Sequence, residues 1–209
     1  VNSMETVPPA VPEAPPSSTP QTRREQLKAQ RREQLLDAGA RLIADRGFLG
    51  MRLDDLGAAA GISGPAVYRH FPNKEALLVE LLVGISQRLL DGGRAVATRA
   101  TSPTEALDAL IDFHLDFALG EPELIRIQDR DLENLPESAR RQVRRTQRQY
   151  VEVWVSVLRE VRPDLPEATA RVQAHAVFGL INSTPHSAPA ATVTRARPVL
   201  RRMAVAALV

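Results

Sequence analysis

Four histidines, 25 arginines, two lysines and no cysteine set the chemistry open to this 209-residue chain. The lack of cysteine removes disulfide scaffolds, thiolate zinc sites, thiol redox chemistry and cysteine nucleophiles. His70, His114, His175 and His186 are scattered, and none has a second histidine or a glutamate at the spacing that aligns metal ligands on one helix face. His114 lies between Asp112 and Asp116, but i±2 spacing splays side chains around a helix instead of converging them. No phosphate-cradling glycine loop and no nucleophile elbow occurs. The expectation is a protein with no catalytic residues, no metal and no cofactor.

Arginine grips phosphate with two parallel donors, but GC-rich coding also enriches Arg and Ala, so positions must carry any functional argument. The formal net charge is only +2, although the pI is about 9.5. Arg140, Arg144 and Arg148 recur at i, i+4 spacing. Such a row is either a solvated helix face or an anion site, for example for the phosphates of an acyl-coenzyme A. Arg23 and Arg24 follow a stretch, residues 1–20, with six prolines. That stretch is expected to be an extended, disordered tail, and the pair is expected to lie just before the first helix. There it either faces solvent or enters a minor groove as a basic arm.

The elements that position these groups read as helical throughout. Ala (29) and Leu (25) dominate while aromatics are 4%, and no segment alternates like a strand. Leu35, Leu36, Leu42 and Ile43 form a stripe that Gly47 would stop. Ser63 would cap a short helix carrying Val67 to Phe71, which Pro72 stops. Asn73 would cap a longer helix through Leu77, Leu81 and Ile85, ending at Gly92–Gly93. Further helices are expected near 104–119, 121–131, 136–161, 167–183 and 190–208, with prolines at their boundaries. The fold class is all-α with about nine helices. No apolar run approaches the roughly 20 residues that cross a membrane. No charged-then-apolar leader opens the chain. A cytoplasmic protein is the default expectation.

The most specific spacing is Leu53-x-x-Leu56-x-x-Ala59-Ala60-Gly61-Ile62, followed by Val67-Tyr68. It describes two short helices joined by a tight turn at Gly61 and locked by Leu56, Ile62 and Val67. The outer face of 63–70 is left to enter a major groove. By spacing alone, a generic three-helix packing unit remains the alternative.

The run from Gln34 to Phe48, then Leu53-Asp54-Asp55-Leu56 and Ala59 to Ser63, closed by Val67-Tyr68-Arg69-His70-Phe71-Pro72-Asn73-Lys74, resembles the N-terminal domain of TetR-family transcriptional regulators over about residues 31–82. The resemblance implies an N-terminal helix-turn-helix domain (21–72) and a C-terminal effector-binding and dimerisation domain (73–209). It implies that Tyr68, His70 and Lys74 contact phosphates and that Phe71 is core. Met51 and Arg52 stand where the family usually has Thr or Ser, so the hydroxyl cap is missing, although Arg52 can still reach phosphate. The first turn, Ser63-Gly64-Pro65-Ala66, lacks a long polar side chain and offers close backbone approach and a methyl for thymine. Base reading should therefore lean on Arg69, Arg52 and DNA shape.

The resemblance also implies a homodimer on a double-stranded palindromic operator, most simply a repressor released by a small lipophilic effector, with an acyl-coenzyme A or related metabolite among the candidates. The apolar faces of 167–183 (Val172, Ala176, Val177, Leu180, Ile181) and of the last helix (Val199, Leu200, Met203, Ala204, Ala207, Leu208) would form the dimer bundle. Arg195, Arg197, Arg201 and Arg202 would give the last helix a basic exposed side. Candidate pocket residues are Phe113, His114, Phe117, Trp154, His175 and Phe178. The rival reading is an all-helical protein-interaction module that does not bind DNA.

Overall fold

The computed structural model describes residues 23–187 and 193–209. The proline-rich stretch lies outside the described residues. Ten α-helices stand in order among those described: α1 (Arg23–Gly50), α2 (Leu53–Ala60), α3 (Gly64–Tyr68), α4 (Lys74–Arg99), α5 (Pro103–Gly120), α6 (Pro122–Asp131), α7 (Glu137–Val161), α8 (Glu167–Asn182), α9 (Thr184–Ser187) and α10 (Val193–Leu208). A 3-10 turn, Leu132–Asn134, follows α6. Nine of the ten run five residues or longer, and no described residue is in a strand. No helix among the described residues is long and apolar enough to cross a membrane.

The helix starts obey local chemistry. Pro103 and Pro122 open α5 and α6, where a missing N–H costs no helical hydrogen bond. Asn73 Oδ1 accepts from the Ala76 N–H at 2.8 Å, as its N-cap position predicts. Ser63 holds the N-cap position of α3, but its side chain makes no cap hydrogen bond and stays exposed. At α2 the hydroxyl cap is indeed absent. The Asp55 N–H turns to the Arg52 carbonyl at 3.1 Å, while Asp55 Oδ2 accepts from the Arg52 N–H at 3.4 Å and pairs with Arg46 at 3.0 Å. Asp55 thus completes the start of α2.

Two expectations about helix extent need correction. Arg23 and Arg24 lie in the first turn of α1, not ahead of it. And α4 does not break at Gly92–Gly93; it continues to Arg99. A Cβ at Gly92 would overlap the Phe113 ring, and one at Gly93 the Tyr150 ring. The two glycines thus mark close packing against α5 and α7 instead of a helix end.

Two apolar clusters fill the interior. The first joins Leu35, Ile43, Phe48, Leu56, Val67 and Phe71 to Leu77 and Leu82 of α4 and, from further along the chain, to Leu124, Ile127 and Val143. The second gathers α5, α7, α8 and α10 around Trp154. Helix α4 contributes to both, and α6 ties the N-terminal helices to the rest.

The junction of α1 and α6 is polar and specific. Gly47 takes φ 78° and ψ 155°, a left-handed φ that kinks the end of α1. Asp131, buried at the end of α6, accepts from the Phe48 N–H at 3.3 Å and pairs with Arg130 at 3.0 Å. The Arg130 guanidinium also donates to the carbonyls of Ala44 (3.2 Å) and Ile43. One ion pair therefore satisfies backbone groups on both sides of the kink.

Helix α10 departs in part from its expected electrostatics: Arg195 and Arg202 are exposed, as expected. Arg197 and Arg201 do not point to open solvent. Arg197 pairs with Asp112 (3.2 Å) and Asp116, and Arg201 with Asp108 (2.8 Å) and Asp112 (3.3 Å). The i, i+4, i+8 acidic row of α5 faces α10, which is why His114, offset by two residues, faces the interior instead.

Candidate nucleic-acid interface and cavity

The turn between α2 and α3 is made by Gly61 (φ 65°, ψ 35°), whose N–H returns to the Ala58 carbonyl, while the Ile62 N–H bonds the Gly57 carbonyl at 2.9 Å. Val67 and Phe71 are fully buried and fix α3 against the core. Tyr68 is 49% exposed, and Arg52, Ser63, Pro65 and Arg69 are also exposed. Gly64, Ala66 and His70 are half-buried along the same short helix and its exit. The structure thus brings Ser63, Gly64, Pro65, Ala66, Tyr68, Arg69 and His70 onto one continuous element, with Arg52 at the start of α2.

Arg32 secures this element from behind. It donates to Glu80 through Nε (2.6 Å) and a second nitrogen, donates to the His70 carbonyl at 3.1 Å, and lies over the Phe71 ring at 4.7 Å. The planar guanidinium divides its fork of donors between an acid and a carbonyl while its charge lies over a ring. Lys74 is engaged differently from a simple phosphate ligand. Its Nζ donates to the carbonyls of Phe48 (3.1 Å) and Leu49 (3.3 Å) and sits 4.7 Å over the Phe48 ring. It ties the end of α1 to the start of α4.

Lys28 and Arg31, exposed on α1, were not singled out by sequence reasoning. Both act on His70 across the fold. Burial first, then the charges of Arg32, Lys28 and Arg31, hold its imidazole below the usual pKa of 6.5. The signal in the sequence was the basic spacing along 24–32, but only tertiary packing shows that this face of α1 adjoins α3.

The second site is a partly open cavity of about 210 Å³ lined by α4, α5, α6, α7 and α8, with His175 at its exposed side. Of the expected pocket residues, His114, Phe117, His175 and Phe178 line it. Trp154 does not; it is fully buried one ring behind, with its centroid 5.0 Å from Phe178. Phe113 lines a shallower neighbouring groove with Arg88 and Glu121. Ser86, Gln128, Gln147, Tyr150 and Asn182 also line the cavity, and sequence reasoning missed them.

At its centre His114 Nε2 lies 3.1 Å from Asn182 Oδ1, and Tyr150 Oη 3.3 Å from His114 Nδ1. With the amide oxygen accepting, the imidazole is the neutral Nε2–H tautomer and the phenol donates to Nδ1. Burial pushes the His114 pKa down to about 4, against a smaller opposing effect of the Asn182 hydrogen bond. Burial also raises the Tyr150 pKa. Tyr150 and Phe178 are stacked at 5.5 Å with planes 19° apart. Elsewhere, Arg140 (2.7 Å) and Arg144 (2.5 Å) of the α7 row both pair with Glu133, while Arg148, the third of the row, is exposed.

A short helix held by a buried core, presenting a polar outer face and joined through α4 to a helical bundle with a cavity, is the arrangement of helix-turn-helix regulators. Residues 35–81 match the family profile described as bacterial regulatory proteins, tetR family, and residues 100–186 match the tetracyclin repressor-like C-terminal domain. The chain belongs to the TetR family of transcriptional regulators, DNA-binding proteins and not enzymes. It is 28% identical over 151 residues to the HTH-type transcriptional repressor KstR2 of Mycolicibacterium smegmatis, covering 66% of this chain and 70% of that protein. The structure of the ketosteroid transcriptional regulator KstR2 of Mycobacterium tuberculosis is similar in fold, with a TM-score of 0.74 at 22% identity, covering 85% of this chain and 93% of that one. So is that of AibR in complex with isovaleryl coenzyme A and operator DNA, with a TM-score of 0.69 at 19% identity, covering 83% and 97%.

Proposed function

We propose that the chain acts as a homodimeric repressor that holds a palindromic operator through α3 and releases it when a small lipophilic effector enters the cavity. The observation that carries this reading is the exposed outer face of α3 on a buried base: Tyr68 is 49% exposed while Val67 beside it is fully buried. On this reading residues 21–72 form the DNA-binding domain and 73–209 the effector and dimerisation domain, with α4 common to both.

Support for pairing comes from α8 and α10, which each have two apolar faces. Val177, Ile181, Ala204 and Leu208 are buried within the chain, while Val172 (68% exposed), Val199 (44%) and Met203 (47%) are not. A second copy would cover that outer strip. Tyr68, Arg69, His70, Arg52 and the remaining donor of Lys74 are read as DNA contacts, with Lys28 and Arg31 adding phosphate attraction from α1. Ligand-dependent release is read through α6, which contributes Ile125 and Gln128 to the cavity and Arg130 and Asp131 to the kink of α1. An effector acts only by binding the released and the operator-bound arrangements with different affinity.

The test is fluorescence anisotropy with DNA from upstream of the gene. The double variant Tyr68→Ala/Arg69→Ala should lose at least about 10-fold in affinity with unchanged circular dichroism, about 1.4 kcal/mol or more. Unchanged affinity removes α3 from the interface.

His70 supplies a pH signature. Its pKa in the free protein is held below 6.5, and a nearby phosphate would raise it. The complex then binds more protons than the free protein, so operator affinity should rise as pH falls from about 7.5 towards 6. His70→Gln should flatten that rise in a titration at fixed ionic strength. A wild-type affinity that falls over the same range contradicts the contact.

A further inference from the structure

We infer that the effector is an uncharged molecule of one or two rings bearing a hydroxyl, carbonyl or amide group, and that the cavity excludes carboxylates and coenzyme A thioesters. This rests on reading the cavity as the effector site.

Charge comes first. Among the described residues that line the cavity there is no Asp, Glu, Lys or Arg; the polar ones are Ser86, His114, Gln128, Gln147, Tyr150, His175 and Asn182. None of the arginines on the surrounding helices lines the cavity, and several have partners already: Arg88 holds Glu121 (2.6 Å), Arg126 the Pro185 carbonyl (2.8 Å), and Arg140 and Arg144 share Glu133. An anion moved from water to the inner end of this space, beside buried Ser86 and His114, would give up much of its hydration and meet no cation among the lining side chains, a cost that hydrogen bonds to neutral groups do not return. Recruiting Arg140 and Arg144 would strip Glu133 of both its cations.

Shape and hydrogen bonding narrow the class further. The volume, about 210 Å³, exceeds the roughly 150 Å³ that accommodates a single benzene ring in an engineered cavity, so one substituted or two fused rings fit. Phe117, Tyr150, Phe178 and the His114 ring supply faces and edges for stacking, with the His114 and Phe178 centroids 4.8 Å apart. Inside, Ser86 Oγ already donates to the Leu82 carbonyl at 2.8 Å and Tyr150 Oη to His114, so each has lone pairs left to accept. Asn182 Oδ1 is used by His114, while its Nδ2 hydrogens have no partner among the described residues. A hydroxyl satisfies both sets at once, accepting from Asn182 and donating to Ser86 or Tyr150. A carboxylate can only accept, and would face two oxygens with no proton to give them.

The test uses matched probes at pH 7.5 on the full chain: 2-naphthol, 2-naphthoate and butyryl-coenzyme A. Calorimetry reads binding, and anisotropy reads operator release. The expected result is 2-naphthol binding at least 10-fold tighter than 2-naphthoate, with release of DNA and no response to the thioester. Ser86→Leu, which fills the cavity, should abolish the naphthol response, with Ile125→Phe as the second filling variant if the first does not fold. Equal or tighter binding of 2-naphthoate or of the thioester, lost in the filled variant, overturns the ligand class and leaves the site standing. Naphthol binding that survives both fillings, or that leaves operator affinity unchanged, overturns the site itself. No binding by any probe overturns the inference.

Discussion

Arg130→Ala is expected to lower the unfolding free energy by about 2–3 kcal/mol, and Tm by roughly 5–10 °C for a chain of this size. The reason is asymmetry of burial across the pair: the Arg130 side chain is 45% exposed but that of Asp131 only 5%. Removing the cation leaves a carboxylate in the interior with only the Phe48 N–H and, at 3.4 Å, the Asn134 amide. It also strips the donors from the Ile43 and Ala44 carbonyls at the end of α1. The figure sits below the range for fully buried pairs because the Arg130 side chain is already partly in water. Thermal melts of the single variant and of Arg130→Ala/Asp131→Asn give the check. Neutralising Asp131 in the second variant should recover part of the loss. A single variant as stable as the parent would show that the α1 kink does not depend on α6.

Acid should destabilise the protein in a window set by His114. The side chain is held neutral with a pKa near 4, against 6.5 when unfolded. Between those values the unfolded chain binds the extra proton, so stability falls as pH falls. The contribution is complete above pH 6.5 and is lost by about pH 4, a change of about 3 kcal/mol at 1.36 kcal/mol per unit. His70, also held low, acts in the same direction. Carboxylates held low, such as Glu105 and Glu167, lose their contribution only below their ordinary 4.5, so the interval from 6.5 to 4.5 belongs to histidine. Urea unfolding across that interval should show a slope in the parent that largely disappears in His114→Gln. A parent whose stability is flat from pH 6.5 to 4.5 would mean that water reaches the imidazole.

Much of this architecture is readable from local chemistry. Asn73, Pro103 and Pro122 mark helix starts because capping and a missing N–H are decided within one turn. Gly61 marks the turn for the same reason. What escaped was long-range. Gly92 and Gly93 look like a helix stop by intrinsic preference, yet the Phe113 and Tyr150 rings occupy the space where their side chains would be. Arg197 and Arg201 read as surface charge until α5 is laid beside α10. Aromatic and histidine content picked out four cavity residues, but Ser86, Asn182 and the two glutamines carry no pattern of their own and become legible only as neighbours.

The acidic row of α5 has a final bearing on assembly. No Asp or Glu follows Glu167 in the chain, so α10 left to itself would be a purely cationic rod. By holding Arg197 and Arg201 against Asp108, Asp112 and Asp116, each molecule neutralises two of the four arginines of its own rod in cis and leaves Arg195 and Arg202 exposed. In the proposed homodimer, two such rods would come side by side with that much less mutual repulsion set against the attraction between their oily strips.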